Sequence, residues 1–459
     1  MKLDAAVAVA AFGARTSHPE LIPAALDVVT DTRAIMGGET FLALHGEHYD
    51  GHSFVAQAFE RGAAACIVDD IASVPPGRPA IVVAKTLHAY LALARLARRK
   101  LEGHVVAISG SAGKTTTKEF LLQLLNAAGV PAAATPENEN NEIGVSKFLL
   151  SLDENDARVA IVEMGARKYR DLDVLVAAAQ PDVAILTNIG EAHLEIFGSH
   201  DRLAETKWGL FRAHARAVLP IGDHAIRVRA GKLEFPPLWF GAGNVTPPTG
   251  EPGVVVRDAH HLVVHDGIAR TTLAIDAKVP GEHNVLNLAA ALAGAIALGC
   301  SAAALVPHIA ALHLPHGRYE TMILADGGRL IFDAYNASMS GTLATLSAFA
   351  SEAADRRIAV LGSMAELGTD APQMHRRVGA AAAHSSDVIL AGGEFADDIV
   401  RGATDAGAAS ERVVAYADNA AAIAWLHANR LPGDAILLKG SRKYKMEEIA
   451  AGLGAEASI

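Results

Sequence analysis

Residues 105–119 read VVAISGSAGKTTTKE: an apolar, β-branched run, a turn bounded by Gly110 and Gly113, then Lys114 and three threonines that open a helix. A strand that enters a helix through so tight a turn is a βα unit, the building element of a mostly parallel sheet. The turn also implies a chemistry. Its glycines let the chain curl so that successive backbone N–H groups face anionic oxygens. Lys114 adds a mobile charge for β- and γ-phosphates, and Thr115 a hydroxyl for Mg²⁺. Gly110, Ser111, Ala112, Gly113, Lys114, Thr115 and Thr116 are thus the candidate nucleotide-binding segment. The longer phosphate-loop spacing would need glycine at 108, where Ile108 stands, so this is the shorter G-x-x-G-K-T form. An ordinary βα turn can carry that pattern by chance, but the β-branched run before it and the helix formers up to Ala128 favour the nucleotide site.

Composition excludes several classes. The chain has 459 residues, about three domains' worth. Hydrophobic residues make up 51% and mean hydropathy is +0.23, but alanine supplies much of this and no unbroken apolar span is present. The short apolar run after Asp4 has no basic leader and makes a poor signal peptide. Cys66 and Cys300 lie far apart in apolar stretches, which suits reduced thiols in a cytoplasm. A net charge of −11 argues against a nucleic-acid surface, so an anionic substrate must be held by local cations.

The chain divides into three blocks. The first carries β-like runs at 64–68 and 80–83 and a helix over 87–100, whose Arg98, Arg99 and Lys100 suit a helix C-terminus. Two polar, turn-rich segments, 30–38 and 44–52, precede them. The second block opens at His104 and continues with strands at 159–163, 183–187 and 217–219, alternating with helix-length segments. Gly/Pro punctuation and short β-rich runs predict an antiparallel meander within 221–280, followed by an alanine-rich helix over 285–298. In the third block, strands at 330–333, 358–361, 388–391, 413–416 and 435–438 alternate with helices and predict a small doubly wound domain. The expected domains are 1–102, 103–313 and 314–459.

Glu163 ends a buried-strand pattern (VAIVEMG), where open parallel sheets present functional groups. Such a carboxylate beside a phosphate turn suits Mg²⁺; one that merely faces water fits the pattern equally. The next strand runs into LTNIGEAHLEIFGS, making His193 the third metal-capable group at successive strand ends. Glu191 and Glu195 read as solvated or capping. Lys207, in LAETKWGLF, reads on its own as a solvated helix lysine. The segment TPENENNEIG brings Asn138, Asn140 and Asn141, which can bond phosphate or ribose or simply turn a polar loop.

Nine motifs occur in the order found in the Mur ligases: G-S-A-G-K-T-T, N-x-N-N-x-I-G-V, E-M-G, T-N-I-G-E-A-H-L-E-x-F-G-S, H-N-V-L-N, G-R-Y-E, D-A-Y-N-A, L-G-S-M-A-E-L-G and K-G-S-R. The N-terminal block adds Asp31-Thr32-Arg33 and G-x-x-F-x-A-L-x-G-x-x-x-D-G-H ending at His52, so the chain resembles that family over nearly its whole length. The resemblance implies an α/β protein of three domains: an N-terminal UDP-substrate domain, a central ATPase domain with a mostly parallel sheet, and a C-terminal Rossmann-like domain. It implies a monomeric, cytoplasmic, ATP-dependent amide ligase of peptidoglycan precursor synthesis, joining a UDP-muramoyl tripeptide to D-alanyl-D-alanine, with no nucleic-acid partner.

By the same resemblance two Mg²⁺ ions are expected, one on Thr115 and Glu163 and the other on His193. Lys207 matches a lysine that becomes an N-carbamate, a CO₂ adduct that turns a cation into a bidentate anion. Lys114, Lys207, His193 and Arg318 would be catalytic. Asn287 would contact adenine, Arg318 the γ-phosphate and Asp333 the ribose. Thr32, Arg33, Asp50, Gly51 and His52 would face the UDP-sugar, and Asn336 and Ser338 the amine acceptor.

Three positions depart from the family pattern. Ser338-Met339 stands where Asn-Pro is usual, Gly209 where an acidic residue is expected, and Leu219-Pro-Ile-Gly-Asp223 where Leu-Asn-x-Asp is usual. The first motivates an alternative, a paralogue that joins a different amine in a specialised pathway. A second alternative is a nucleotide-binding regulatory protein with a dead site, against which Lys114, Glu163, His193 and Lys207 all count.

Overall fold

The strand that feeds the phosphate turn, His104–Ser109, is buried from Val105 onward, and so are all residues of Val159–Glu163 and Val183–Leu186. Apolar runs without alternation belong to sheets covered on both faces. The structure, a computed structural model, describes residues 1–455 except 47–48, 154–156, 191–196, 198 and 366. Val105, Ala107, Ala160, Val162, Ala184 and Leu186 turn to one layer, against Val145 and Leu149 of helix Glu142–Ser151 and Leu172 and Leu175 of helix Asp171–Ala179. The residues between them, Val106, Ile108, Ile161 and Ile185, turn to the other. There they meet Phe120 and Leu124 of helix Lys114–Ala127 and Leu288 and Leu292 of helix Glu282–Ala297.

Among the described residues this central sheet has nine strands, ordered Arg270–Ala274, His261–Asp266, Pro252–Asp258, Leu238–Ala242, Arg216–Pro220, Val183–Leu186, His104–Ser109, Val159–Glu163, Ala132–Ala134. Pairing is parallel except at the first two junctions. The meander expected within 221–280 is therefore confined to 252–274. Leu238–Ala242 and the leading edge of Pro252–Asp258 instead extend the parallel sheet, because Leu238, Phe240, Val254 and Val256 share the core under helix Glu282–Ala297. Short β-rich runs show that a strand exists; they do not show which way its neighbour runs.

Register places the chemistry. Glu163 pairs with Ile108 and Leu186 with Ser109, so both neighbouring strands end level with the phosphate turn. This is the carboxyl-end crevice where open parallel sheets bind ligands.

The N-terminal domain is a smaller sheet in which Val28–Val29, Thr40–Leu42, Ala65–Val68 and Ala80–Val82 run parallel, with Arg15–Ser17 antiparallel at one edge. Its polar turns are organised by aspartates. Asp31 and Asp50 cap single-turn helices by accepting the N–H groups of Arg33 and His52.

The C-terminal domain is doubly wound, as its alternation predicts. Its strands run in the order Glu320–Ile323, Arg329–Phe332, Ala435–Lys439, Arg357–Gly362, Val388–Gly392, Val413–Tyr416, antiparallel only between the first two. Glu320–Ile323, absent from the sequence reading, alternates half-buried and exposed residues and leaves no apolar run to detect. The entry to Ala435–Lys439 is pinned by buried Asp434, which accepts from Leu431 N (2.8 Å) and from Nε (3.1 Å) and Nη2 (2.6 Å) of Arg356. Asp434→Ala leaves those donors unpaired and should lower unfolding free energy by about 2 kcal/mol. Denaturant unfolding measures this loss, and turnover per folded molecule should stay unchanged because Asp434 lies at the far end of the strand from the crevice.

Candidate active site

Two glycines shape the phosphate turn. A Cβ on Gly110 (φ +152°) would lie 1.9 Å from Thr187 Oγ1, and one on Gly113 (φ +80°) would lie 2.2 Å from Asn287 Oδ1. The turn is braced from the next strand's end. Thr187 Oγ1 donates to Ala112 O (2.6 Å), while Asn188 Oδ1 accepts from Ser111 N (3.1 Å) and Ala112 N (3.0 Å). Two of the N–H groups expected to face phosphate are thus engaged by Asn188. No side chain caps helix Lys114–Ala127 at Gly113, so its first N–H groups are left to attract an anion.

Lys114 Nζ donates to the Gly110 carbonyl at 3.0 Å, and Lys207 Nζ donates to the same oxygen at 3.2 Å. Two ammonium groups on one carbonyl repel each other, and Lys207 is buried. Burial, followed by the charge of Lys114, brings the Lys207 amine down to about 7. Burial also lowers Lys114, with Arg318 adding to the effect and Glu163 opposing it. The solvated helix lysine that the local sequence suggests is instead a desolvated amine at the phosphate turn.

Glu163 is buried, and each of its oxygens is held: Thr115 Oγ1 donates to Oε2 (3.0 Å) and Asn140 Nδ2 to Oε1 (3.0 Å). Its own N–H donates to Thr135 Oγ1 (2.9 Å). The water-facing alternative for Glu163 does not hold. The hydroxyl and carboxylate form an all-oxygen pair that fits a hard divalent cation. His193 lies outside the described residues.

The third domain contributes Arg318 and Asp333. The Arg318 guanidinium sits 4.3 Å from the centroid of the Tyr335 ring, and its Nε is buried with no hydrogen-bond partner among the described residues. Asp333 is buried, accepting from Tyr319 N (3.3 Å) and the Thr345 hydroxyl and pairing with Lys439 Nζ (3.0 Å). Lys439 also donates to Asn336 O (2.9 Å). A cleft of about 960 Å³ opens beside Thr187 and Asn188, between His283 and Leu286 of the central domain and Ala344 and Ser347 of helix Met339–Ala350. Its size suits a small-molecule site. Asn287 is not on its wall, since its carboxamide faces Gly113 and Asn284.

The N-terminal residues form a separate cluster. Thr32 Oγ1 donates to Gln57 (3.1 Å), and Arg33 is paired with Asp31 (2.6 Å). Buried His52 links Asp50 (2.8 Å) to Asp69, and His45 stacks on His52 and pairs with Asp69 at 3.0 Å. Asn140, a phosphate or ribose candidate in the sequence, instead bonds Glu163. Sequence reasoning assigned no role to Asn188, Lys439, Gln57, His45 or Asp69; of these, Asn188 and Lys439 carried a signal, as members of the T-N-I-G and K-G-S-R motifs.

Known proteins resemble this chain along nearly its whole length. Residues 27–100 match the Mur ligase family catalytic domain, 108–295 the Mur ligase middle domain, and 317–442 the Mur ligase glutamate ligase domain. The UDP-N-acetylmuramoyl-tripeptide–D-alanyl-D-alanine ligase of Synechocystis sp. is 33% identical over 94% of this chain and 92% of its own length. The chain belongs to the Mur ligase family. The ligase of the same name from Bacillus subtilis is 32% identical over 93% and 92% of the two chains. Among solved structures, MurF from Acinetobacter baumannii superposes with a TM-score of 0.85 at 29% identity, covering 99% of both chains. MurF ligase from Thermotoga maritima in complex with ADP gives 0.79 at 26%, covering 95% of this chain and 98% of that one.

The departures from the Mur ligase pattern acquire physical accounts. Ser338 is the N-cap of helix Met339–Ala350, accepting from Gly341 N (3.3 Å), and Met339 at the first helical position is buried in the core. Asn-Pro fills the same cap and first-turn positions, so the exchange preserves the helix start. A Cβ at Gly209 would lie 2.7 Å from Asp173 Oδ1, so glycine admits that carboxylate. Asp223 caps helix His224–Ala230 by accepting from Ile226 N (3.0 Å).

The depressed Lys207 amine has a consequence for stability. Between its ordinary value of 10.5 and about 7, the unfolded chain binds a proton that the folded chain does not. Its contribution to stability therefore falls as pH drops through that window. Lys207→Met should raise Tm near pH 7 in bicarbonate-free buffer, and the gain should shrink toward pH 10. Thermal melts across that range check both the sign and the window.

Proposed function

We propose that this chain is an ATP-dependent ligase that joins D-alanyl-D-alanine to UDP-N-acetylmuramoyl-tripeptide, with domain limits at 1–102, 103–313 and 314–459. One observation carries the reading beyond relatives that align along almost the whole chain: Lys114 and Lys207 converge on Gly110 O, within electrostatic reach of Glu163, which Thr115 bonds. The γ-phosphoryl group passes from ATP to the tripeptide carboxylate, giving an acyl phosphate and ADP. The dipeptide amine then attacks the acyl carbon, and phosphate leaves with the bonding pair of the broken C–O bond. Charge develops on phosphoryl oxygens throughout, so the chain's task is to position and neutralise them.

Lys114 holds the β- and γ-phosphates, and Arg318, whose buried Nε lacks a partner among the described residues, turns to the γ-phosphate. Thr115 and Glu163 would hold Mg²⁺, which would supply Lewis-acid charge to phosphate oxygens. Lys207 reacts as a free amine with CO₂: N–C bond formation with loss of a proton gives a carbamate. That step would place an anion beside the Lys114 cation, and the carbamate with His193 would hold a second Mg²⁺. Asp333 and the cleft beside Asn188 receive the nucleoside, with Asn287 facing the glycine turn beneath. The turns carrying Thr32, Arg33, Asp50, Gly51 and His52 receive the UDP-sugar, and Asn336 with Ser338 borders the dipeptide site. The cap role of Ser338 favours the ordinary acceptor over a recruited paralogue.

A phosphate-release assay with ATP, Mg²⁺, UDP-N-acetylmuramoyl-tripeptide and a panel of amines tests the assignment. D-Ala-D-Ala should give the highest kcat/KM and release should need both co-substrates; a different best amine with D-Ala-D-Ala inert overturns it. Lys114→Ala should lose nearly all turnover with little change in Tm, because its stem lies at a loop–helix junction. Lys207→Ala should be nearly inactive and should regain part of its rate when formate or acetate is added. Full activity without a carboxylate returns Lys207 to a structural role.

A further inference from the structure

Arg318 is held in place with unusual care. On one side Gly317 (φ +68°) uses its carbonyl to accept from Tyr335 N (3.3 Å). On the other, Tyr319 takes a left-handed φ of +55°, donates its N–H to Asp333 (3.3 Å) and its hydroxyl to Glu352 (3.1 Å), and is buried. A bulky non-glycine residue adopts that conformation only where its surroundings over-determine it. Segment 317–319 is therefore stitched to 333–335, and the guanidinium between the stitches stacks on Tyr335 at 4.3 Å.

Tyr335 reaches further. Its hydroxyl donates to Oδ1 of Asn138, in the asparagine loop of the central domain, and Asn138 itself has a left-handed φ of +65°. The Tyr335 ring is half-buried, with Glu137, Glu163, Arg318 and Arg442 near enough to act on it electrostatically. One side chain thus touches the γ-phosphate candidate of the third domain and a loop that also supplies Asn140 to Glu163.

We propose that Tyr335 is a positioning residue: it orients Arg318 by stacking, and through Asn138 it registers the C-terminal domain on the metal-carboxylate side of the central domain. This depends on the reading that Arg318 meets the γ-phosphate. Stacking fixes the plane of the guanidinium without using its donors, so they stay free for phosphoryl oxygens. The hydroxyl bond makes that orientation conditional on the two domains being closed on each other.

The test uses the full chain with ATP, Mg²⁺ and both co-substrates, reading kcat and KM for ATP together with the Kd for ADP. Tyr335→Leu should lower kcat about tenfold, the rate equivalent of a lost cation–π contact, with the Kd for ADP within about twofold. Tyr335→Phe keeps the stack and should recover most of that rate. Asn138→Ala should match Tyr335→Phe, and the Tyr335→Phe/Asn138→Ala pair should be no worse than either alone. A purely structural role would lower kcat and ADP-binding capacity together, would not be rescued by Phe, and would overturn the proposal. If Tyr335→Leu does not fold, the Tyr335→Phe and Asn138→Ala pair decides, and additive effects there overturn it. Arg318→Ala separates the premises. If it is inactive while Tyr335→Leu is normal, positioning fails and the γ-phosphate role stands; if it is fully active, the reading of Arg318 fails first.

Discussion

Two lysine ammonium groups share one backbone carbonyl at the mouth of the phosphate turn, and much of the site follows from that crowding. Burial and the charge of Lys114 bring the Lys207 amine down to about 7, so near neutral pH much of it carries no charge. The burden falls on Lys207, which is buried on helix His200–Trp208 and has no carboxylate within ion-pair distance among the described residues. An uncharged amine is nucleophilic where an ammonium is not, so the fold that disfavours the proton leaves Lys207 more nucleophilic than a solvated lysine. Lys114, the nearby Arg318 and the uncapped start of helix Lys114–Ala127 make the turn electropositive without any excess of basic residues in the chain, whose net charge is −11.

The surrounding polar groups are mutually constrained. Asn188 and Thr187 brace the turn from one neighbouring strand, while Glu163 and its partners Thr115, Asn140 and Thr135 brace it from the other. Each is buried or half-buried, and a buried polar atom left unpaired costs roughly 1–3 kcal/mol, so the network tolerates few arrangements. The third domain enters through Arg318 and the Asp333–Lys439 pair, which the chain places far from the turn in sequence. A site assembled across a domain junction can be taken apart by domain motion, which gives contacts such as Tyr335–Asn138 their leverage.

The central and C-terminal strands were legible because their apolar runs are buried on both faces and need no neighbour to be recognised. Ala132–Ala134, Glu320–Ile323 and the short N-terminal strands were not, since alanines, alternating exposed residues and two- or three-residue pairings leave no periodic signal. Within the site, local patterns supported Lys114 and Glu163, while Arg318 rested on motif order alone. Lys207 had no such support: its segment reads as a surface helix, and only the burial created by packing against the turn gives it a new chemistry. Ser338 went the other way, since a departure that drew attention in the sequence is an ordinary helix cap in space.

The amino-acid sequence alone determined the βα phosphate turn, the succession of three α/β units and the family, because local propensity, glycine spacing and the order of motifs are properties of neighbours along the chain. Tertiary structure decided everything that depends on distance between residues remote in sequence. It set which oxygen the two lysines share, which donors hold Glu163, the parallel direction of Leu238–Ala242, and the stack of Arg318 on Tyr335. Desolvation and Coulomb interaction act through space, and their effect on a side chain is set only when the folded chain has brought its partners within a few ångströms.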